Sequence, residues 1–409
     1  MISYKKALKI IKKGKISFKS EKISSEQSVG RICSENIYSP CNYPSANNTA
    51  FDGFAINSNE TINLKKNKSK KFEILKVIAA GDNPNIKKVK KFSAVEVMTG
   101  ALIIKPFNTV IPIEKAIFFP SKKNPKYIIL DKKIKKNQHI RFLGSDYKKG
   151  DKVISKGQLI EPKHILAFKT LGINKVLVKK IFKIIFYTTG NEISNKKNIP
   201  AWKVRNSNSY YLKSYLKNFP VNFEEKRILR DNDKRKFYQE MKAHLKNNTD
   251  IIITSGAVSA GKFDFVPKVV KKFKLSNYFK NVEIRPGKPI LFAKIKGKNK
   301  TIFGLPGNPI SSAACFRFFV YPFIRCSLGM DDEKYINAKL IQKYVKDRNI
   351  TRFVKGYILH NLKGHSEFKI LKGQESFRIS PLTKSNAWGV FEDKKSIFKK
   401  GDLISCFSA

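Results

Sequence analysis

The residues of this chain best suited to chemistry sit in loops that follow short apolar runs. One loop reads Ser255-Gly256-Ala257-Val258-Ser259-Ala260-Gly261, and a second reads Gly304-Leu305-Pro306-Gly307-Asn308-Pro309. Glycine in such loops lets backbone N–H groups approach an anion, and a helix that follows adds its N-terminal dipole. Thr188-Thr189-Gly190-Asn191-Glu192 and Asp231-Asn232-Asp233 supply further hydroxyls and carboxylates, and Arg285 and Lys288 place positive charge around Pro286-Gly287. The set suits a phosphate-bearing ligand. Carboxylates at Glu192, Asp231 and Asp264 beside phosphates imply a divalent ion, most simply Mg²⁺ held by oxygen. Its work would be to neutralise charge at an adenylate or pyrophosphate-like linkage. Covalent catalysis has no visible nucleophile, because G-x-S-x-G and Cys/His pairings are absent. Without a Walker A or G-x-G-x-x-G motif, ATP hydrolysis and NAD chemistry are disfavoured.

Bland readings stand beside these. A lone strand–glycine loop–helix unit is common. Asp250 starts its strand, at the end opposite the expected crevice, and reads as structural. Lys262 reads as a solvated loop residue or a ligand, and Pro306 and Pro309 as loop-shaping or rim residues. Asp52-Gly53, taken alone, reads as a hairpin turn. Thr99 closes a strand, where its hydroxyl faces a ligand or merely caps.

The elements that must position these residues follow from periodicity. Ile251–Thr254, Pro289–Ala293 and Thr301–Phe303 are strand-sized apolar runs bounded by Gly and Pro. From Val176 onward strands and helices alternate, the pattern of a three-layer α/β domain over 176–328. Its ligand crevice is expected outside the carboxyl ends of the strands. Residues 49–140 read as β-rich. Residues 329–409 read as a small antiparallel β-domain. Helices are expected from Ser3 to Lys13, from Ser25 to Asn36, and from Glu161 to Ile173.

Composition bounds the function class. The 409 residues suffice for two to four domains. The net charge of +52 raises nucleic acid or an anionic membrane as partner. However, 71 lysines stand against 12 arginines, dispersed over the chain. A phosphate-reading surface favours arginine, so no specific nucleic-acid partner is expected, only salt-dependent sticking to polyanions. A non-enzymatic polyanion-binding scaffold is the reading that this charge alone would support. Five cysteines without a C-x-x-C pair argue against zinc and against a disulfide framework, and fit a reducing cytoplasm. No 18-residue apolar run is present, so no membrane span is expected.

Several motifs, in order, resemble the molybdopterin molybdenumtransferase family, the bacterial MoeA proteins and the catalytic domain of gephyrin. They are TAFDGFA (49–55), VMTGA (97–101), GSDYKKGD (144–151), TTGNEI (188–193), NSNSYYL (206–212), ITSGAVSAGKFDF (253–265), IRPGKP (284–289), GLPGNPISS (304–312) and GQESFRISPL (373–382). Each is weak alone; their joint order is specific and spans essentially the whole chain. The resemblance implies a multidomain α/β and β fold with four parts. These are a linking domain in two segments (1–48 and 141–175), a β-rich inserted domain (49–140), a three-layer α/β molybdopterin-binding domain (176–328) and a C-terminal β-barrel (329–409). It implies a homodimer with its site at the subunit interface, and Mg²⁺-dependent insertion of molybdate into adenylated molybdopterin with release of AMP. Molybdopterin adenylyltransferase and molybdoenzyme chaperones would be further partners.

Motif by motif, the resemblance implies catalytic roles for Asp52, Thr99, Glu192, Asp231 and Asp264, with Glu192 and Asp231 as metal ligands. It implies substrate binding by Asp146, Ser255, Gly256, Ser259, Arg285, Lys288, Pro306, Pro309, Lys355 and Ser376. Within that constellation Asp52 reads as functional rather than as a turn residue. The chain departs from the family pattern at Phe51, Ala257, Asn191, Arg285, Asn281 and Lys355, where methionine, glycine, an acid, lysine, a basic residue and arginine are expected. An alternative is molybdopterin adenylyltransferase activity on the same α/β domain, but residues 1–175 and 331–409 have no place in a stand-alone adenylyltransferase.

Overall fold

The computed structural model describes residues 1–65, 68–259, 264–362 and 364–409. Ala260, Gly261 and Lys262, including the open reading of Lys262, lie outside the described residues. The chain forms two compact units, one of residues 1–35, 156–161 and 176–409, the other of residues 36–155 and 162–175.

The larger unit is built on a six-stranded sheet. Its order runs Val221–Glu225, Phe182–Thr188, Ile251–Ser255, Thr301–Leu305, Leu291–Ile295, Leu275–Lys280. The first four strands are parallel, and Leu291–Ile295 runs antiparallel to both its neighbours, Thr301–Leu305 and Leu275–Lys280. Strand residues alternate between two cores, which explains their nearly continuous apolar composition. Ile184, Phe186, Ile251, Ile253 and Phe303 face one side, where Leu212, Leu216, Phe316 and Phe323 cover them. Ile185, Tyr187, Ile252 and Ile302 face the other, under Phe237, Met241, Val266 and Val269. The result is the three-layer α/β arrangement expected from the alternation.

The helix Tyr4–Lys13 is capped by Ser3, whose hydroxyl accepts the Lys6 N–H at 3.3 Å, and it ends at Gly14. Its apolar face, Ala7 and Ile11, is fully buried in the first of the two sheet cores. The helix expected from Ser25 to Asn36 does not form. A single 3₁₀ turn spans Ser25–Gln27, and Gly30 then takes φ +79, a left-handed conformation that ends any helix. Ile32 and Cys33 bridge to Leu159 and Val178 instead. Long-range pairing overrides the local helical pattern there.

Downstream, Ile336–Leu340, Thr351–His360, Ser366–Ile370, Ala387–Phe391 and Leu403–Ser408 pair in a ring, since Thr351–His360 bonds both Ser366–Ile370 and Ala387–Phe391. The sheet is therefore closed, the β-barrel that the resemblance implies, around Leu340, Val354, Phe368 and Phe391. The two-residue strand Ile284–Arg285 joins it in parallel, setting Arg285 opposite Arg352.

The smaller unit carries a six-stranded sheet in the order Thr109–Pro112, Gly53–Ile56, Ser93–Val97, Lys70–Ile78, Pro125–Leu130, Ile117–Pro120. Asp52-Gly53 is not a hairpin turn: Gly53–Ile56 pairs with Ser93–Val97 and Thr109–Pro112. Gly53 is required because a Cβ there would collide with the Ile111 carbonyl. Among the described residues, no helix is long and apolar enough to cross a membrane.

Candidate active site

Four loops leave the carboxyl ends of the parallel strands in the larger unit and enclose a crevice of about 580 Å³. Its lining includes Glu192, Asp231, Asp264, Ser255, Gly256, Ser259, Pro306 and Pro309, brought together from four separate stretches of sequence. The floor is tightly tied. Ser255 Oγ donates to the Pro306 carbonyl at 3.2 Å and accepts from Asn208 Nδ2 at 2.7 Å. Asn208 Nδ2 also donates to the Gly307 carbonyl at 2.9 Å, joining both glycine-containing loops through one amide. Thr188 Oγ1 donates to Asn206 Oδ1 at 3.2 Å, and Thr189 Oγ1 to the Ser255 carbonyl at 3.0 Å. Gly256 has φ +97, and any Cβ there would strike the Thr189 hydroxyl, so only glycine fits. Ala257 next to it also has positive φ, +53, a conformation costly for an L-residue with a Cβ.

The acidic side of the crevice is held by cations behind it. Arg230 Nη1 donates to the carbonyls of Gly190, Asn191 and Ile193 at 2.9, 3.2 and 3.0 Å. Lys203 Nζ donates to the Asn191 carbonyl. Asn191, which stands where an acid is expected, donates from Nδ2 to Asp231 Oδ2 at 2.8 Å. The substitution thus removes a carboxylate and occupies one oxygen of its neighbour. Among the described residues, no three or more His, Cys, Asp or Glu side chains converge as a metal cage. Glu192 and Asp231 both line the crevice, so two carboxylates are available there to a bound ligand.

A second cavity of about 790 Å³ adjoins the first, the two sharing Pro289 and Ser311. Arg285, Lys288, Arg352 and Ser376 line it. Arg352 Nε is buried and has no hydrogen-bond partner. Asn308 Nδ2 in the first crevice donates to Ser376 Oγ at 3.2 Å. Lys355 lines neither cavity; it is 1 % exposed, and burial pushes its ammonium down to about 8. Lys280, beside Asn281, donates from Nζ to the Ser259 carbonyl at 2.6 Å.

Asp52, Thr99 and Asp146 belong to the smaller unit. Asp52 Oδ1 accepts from the Thr99 backbone N–H at 2.6 Å and from its hydroxyl at 2.8 Å. These bonds, the backbone one first, hold the carboxyl below the usual aspartate range. The pair is solvent-facing and already ionised, ready to accept a hydrogen bond or hold a cation. Asp146 is exposed in a turn whose backbone pairs with Tyr43.

Sequence reasoning gave no site role to Asn206 and Asn208, taking them only as caps of the helix they open, although they lie in a motif it singled out. It also passed over Arg352. The signal for the asparagines was there, since Asn at a helix start is as apt to bridge loops as to cap. Arg352 had none, because its place depends on a two-residue strand.

Comparison with known proteins agrees with this architecture. Residues 2–172 match the profile described as MoeA N-terminal region (domain I and II), and residues 185–326 match the probable molybdopterin binding domain. The chain is 29 % identical over 390 residues to a molybdopterin molybdenumtransferase of Haemophilus influenzae, covering 94 % of this chain and 93 % of that one. It is 29 % identical over 357 residues to the Staphylococcus epidermidis protein of the same name, covering 87 % and 83 %. A molybdopterin biosynthesis MoeA protein of Pyrococcus horikoshii has the same fold, with a TM-score of 0.84 at 25 % identity over the whole of both chains. With both profiles in order, relatives aligned nearly end to end and the matching fold, this chain belongs to the molybdopterin molybdenumtransferase (MoeA) family.

Proposed function

We propose that the protein inserts molybdate into adenylated molybdopterin, releasing AMP and the molybdenum cofactor. The observation that carries this reading is the pair of adjoining cavities. The first offers backbone donors, hydroxyls and carboxylates at the carboxyl ends of parallel strands, chemistry suited to a phosphate-linked pterin. The second offers Arg285, Lys288, Arg352 and Ser376, chemistry suited to a compact oxyanion such as molybdate. The relatives named above carry this activity in their names over most of their length.

In this reading Ser255, Gly256, Ser259, Pro306 and Pro309 form the floor under the pterin phosphate. Arg285 and Lys288 hold the oxyanion. Glu192 and Asp231 hold Mg²⁺, which supplies positive charge to the phosphoanhydride. Asp264 faces the same crevice. Asp52 and Thr99 act as one ionised, hydroxyl-supported group on the smaller unit, and Asp146 binds substrate there. We carry the homodimer as part of the proposal. Residues 2–172 match the MoeA N-terminal region and a molybdenumtransferase aligns over 94 % of the chain, which leaves the adenylyltransferase alternative without support.

The test is incubation of the full chain with adenylated molybdopterin, molybdate and Mg²⁺. Stoichiometric AMP release with cofactor formation is expected, abolished by a chelator. No AMP release, or ATP-dependent adenylation of molybdopterin instead, would remove the assignment.

A further inference from the structure

Lys355 lies within the barrel strand Thr351–His360, buried among neighbours. Its Nζ donates to the carbonyls of Gly373 at 3.0 Å, Arg378 at 3.1 Å and Glu375 at 3.4 Å. An ammonium has three donors, and a single loop takes all three. The backbone of the same residue is tied to that loop as well. Lys355 N–H donates to Gln374 Oε1 at 2.9 Å, while Gln374 Nε2 donates to the Lys355 and Leu371 carbonyls at 2.9 and 2.7 Å. Residues 373–378 are thus fastened to one strand position by side chain and main chain together. Their inner stretch, Gln374 to Phe377, forms a wall of the second cavity, and from it Ser376 meets Asn308.

Lys346 treats a neighbouring segment alike. Its Nζ donates to the carbonyls of Ile350 at 2.8 Å, Asp347 at 3.1 Å and Arg348 at 3.4 Å, and Ile350 lines the same cavity. Two lysines therefore hold two segments of one cavity wall.

We infer that Lys355 is a positioning residue, one that holds loop 373–378 so that Ser376 faces the oxyanion cavity without itself touching substrate. To reach a ligand its ammonium would have to release three carbonyls, all of them from the loop that carries Ser376. The lowering of its pKa by burial fits an ammonium withdrawn from water and compensated mainly by carbonyl oxygens. The inference rests on the proposed reading of the second cavity as the oxyanion site.

The experiment compares the full chain with Lys355→Met, Ser376→Ala and the double variant. Molybdate and AMP affinities are measured by calorimetry, and amide exchange of residues 373–378 by mass spectrometry. Lys355→Met should weaken molybdate binding by about tenfold or more, a loss of the size one charge-assisted contact commands. AMP affinity should stay within about twofold, and exchange should quicken in 373–378. The double variant should bind molybdate no more weakly than Ser376→Ala alone, because both changes act on one contact. Additive losses would mean that Lys355 touches the oxyanion, and would overturn the inference. Unchanged loop exchange in Lys355→Met would overturn it too. If that variant fails to fold, Lys355→Gln takes its place, since an amide cannot serve all three carbonyls; unchanged exchange of 373–378 there would sink the idea. If the unsubstituted chain binds no molybdate, the functional reading fails, while the exchange measurement still decides whether Lys355 holds the loop.

Discussion

The two ends of the parallel sheet use the same residue types to opposite effect. At the carboxyl ends, Glu192, Asp231 and Asp264 reach a crevice whose backbone is bent by Gly256 and Ala257 at positive φ. At the amino ends, polar groups close on one another. Asp250 Oδ2 accepts the Lys183 N–H at 2.8 Å. Lys300 Nζ donates to the carbonyls of His244, Asn247 and Thr249. Burial lifts the Asp250 carboxyl above its ordinary range and lowers the Lys300 ammonium. A carboxylate or lysine beside one of these strands is thus a candidate for chemistry at one end and a fastening at the other. Strand direction, not residue type, separates the two roles.

That contrast can be broken at several points. The largest effect is expected at the open end. Glu192→Ala should lower AMP release by about 10²- to 10³-fold, the scale of losing one group that stabilises developing charge. Its thermal midpoint should not move. Equal turnover, or a large fall in midpoint, would place Glu192 with the fastenings. At the closed end the reverse is expected. Lys300→Met should cost about 2 kcal/mol of stability in urea unfolding, from carbonyls left without donors, with turnover unchanged once folded. A selective loss of turnover would show that the amino end matters to the chemistry.

Ala257→Gly probes the strain at the crevice, and should stabilise the fold by about 1 kcal/mol by relieving the left-handed conformation. No gain would mean that the Cβ packs well enough to offset it. The smallest effect belongs to the edge strand, where Lys183 and then Lys226 draw the Glu224 carboxyl down to about 2. Its folded-state pKa is depressed, so its contribution is complete above the ordinary glutamate value and fades as pH falls toward 2. The pair is partly exposed, so Glu224→Gln should cost under about 1 kcal/mol at pH 7 and nothing near pH 2. A constant difference across that range would assign the effect to packing.

Strands such as Ile251–Ser255 and Thr301–Leu305 were legible because buried parallel strands are short, apolar and ended by glycine. The crevice was legible with them, since it follows from strand direction. The stretch Ser25 to Asn36 misled, because its pattern is local and its partners, Leu159 and Val178, lie far along the chain. Arg352 was invisible for a related reason: the strand that sets Arg285 opposite it, Ile284–Arg285, has two residues, too few to show a period. Lys355 shows a different limit. Charge and position mark a lysine, but whether its ammonium meets solvent, substrate or three carbonyls depends on a loop some twenty residues downstream.

The helix Tyr4–Lys13 has a consequence for how the protein is made. Its buried face joins the core formed by Phe279, Phe292, Phe318 and Phe319, and just beyond it the Ile16 N–H bonds Ser327 Oγ across 311 residues. At a synthesis rate of about 5–20 residues per second, that separation is roughly 15–60 s of translation. Until Phe279, Phe292, Phe318 and Phe319 emerge, Ala7 and Ile11 lack these native neighbours, and the stretch that carries them waits with its apolar face incompletely covered.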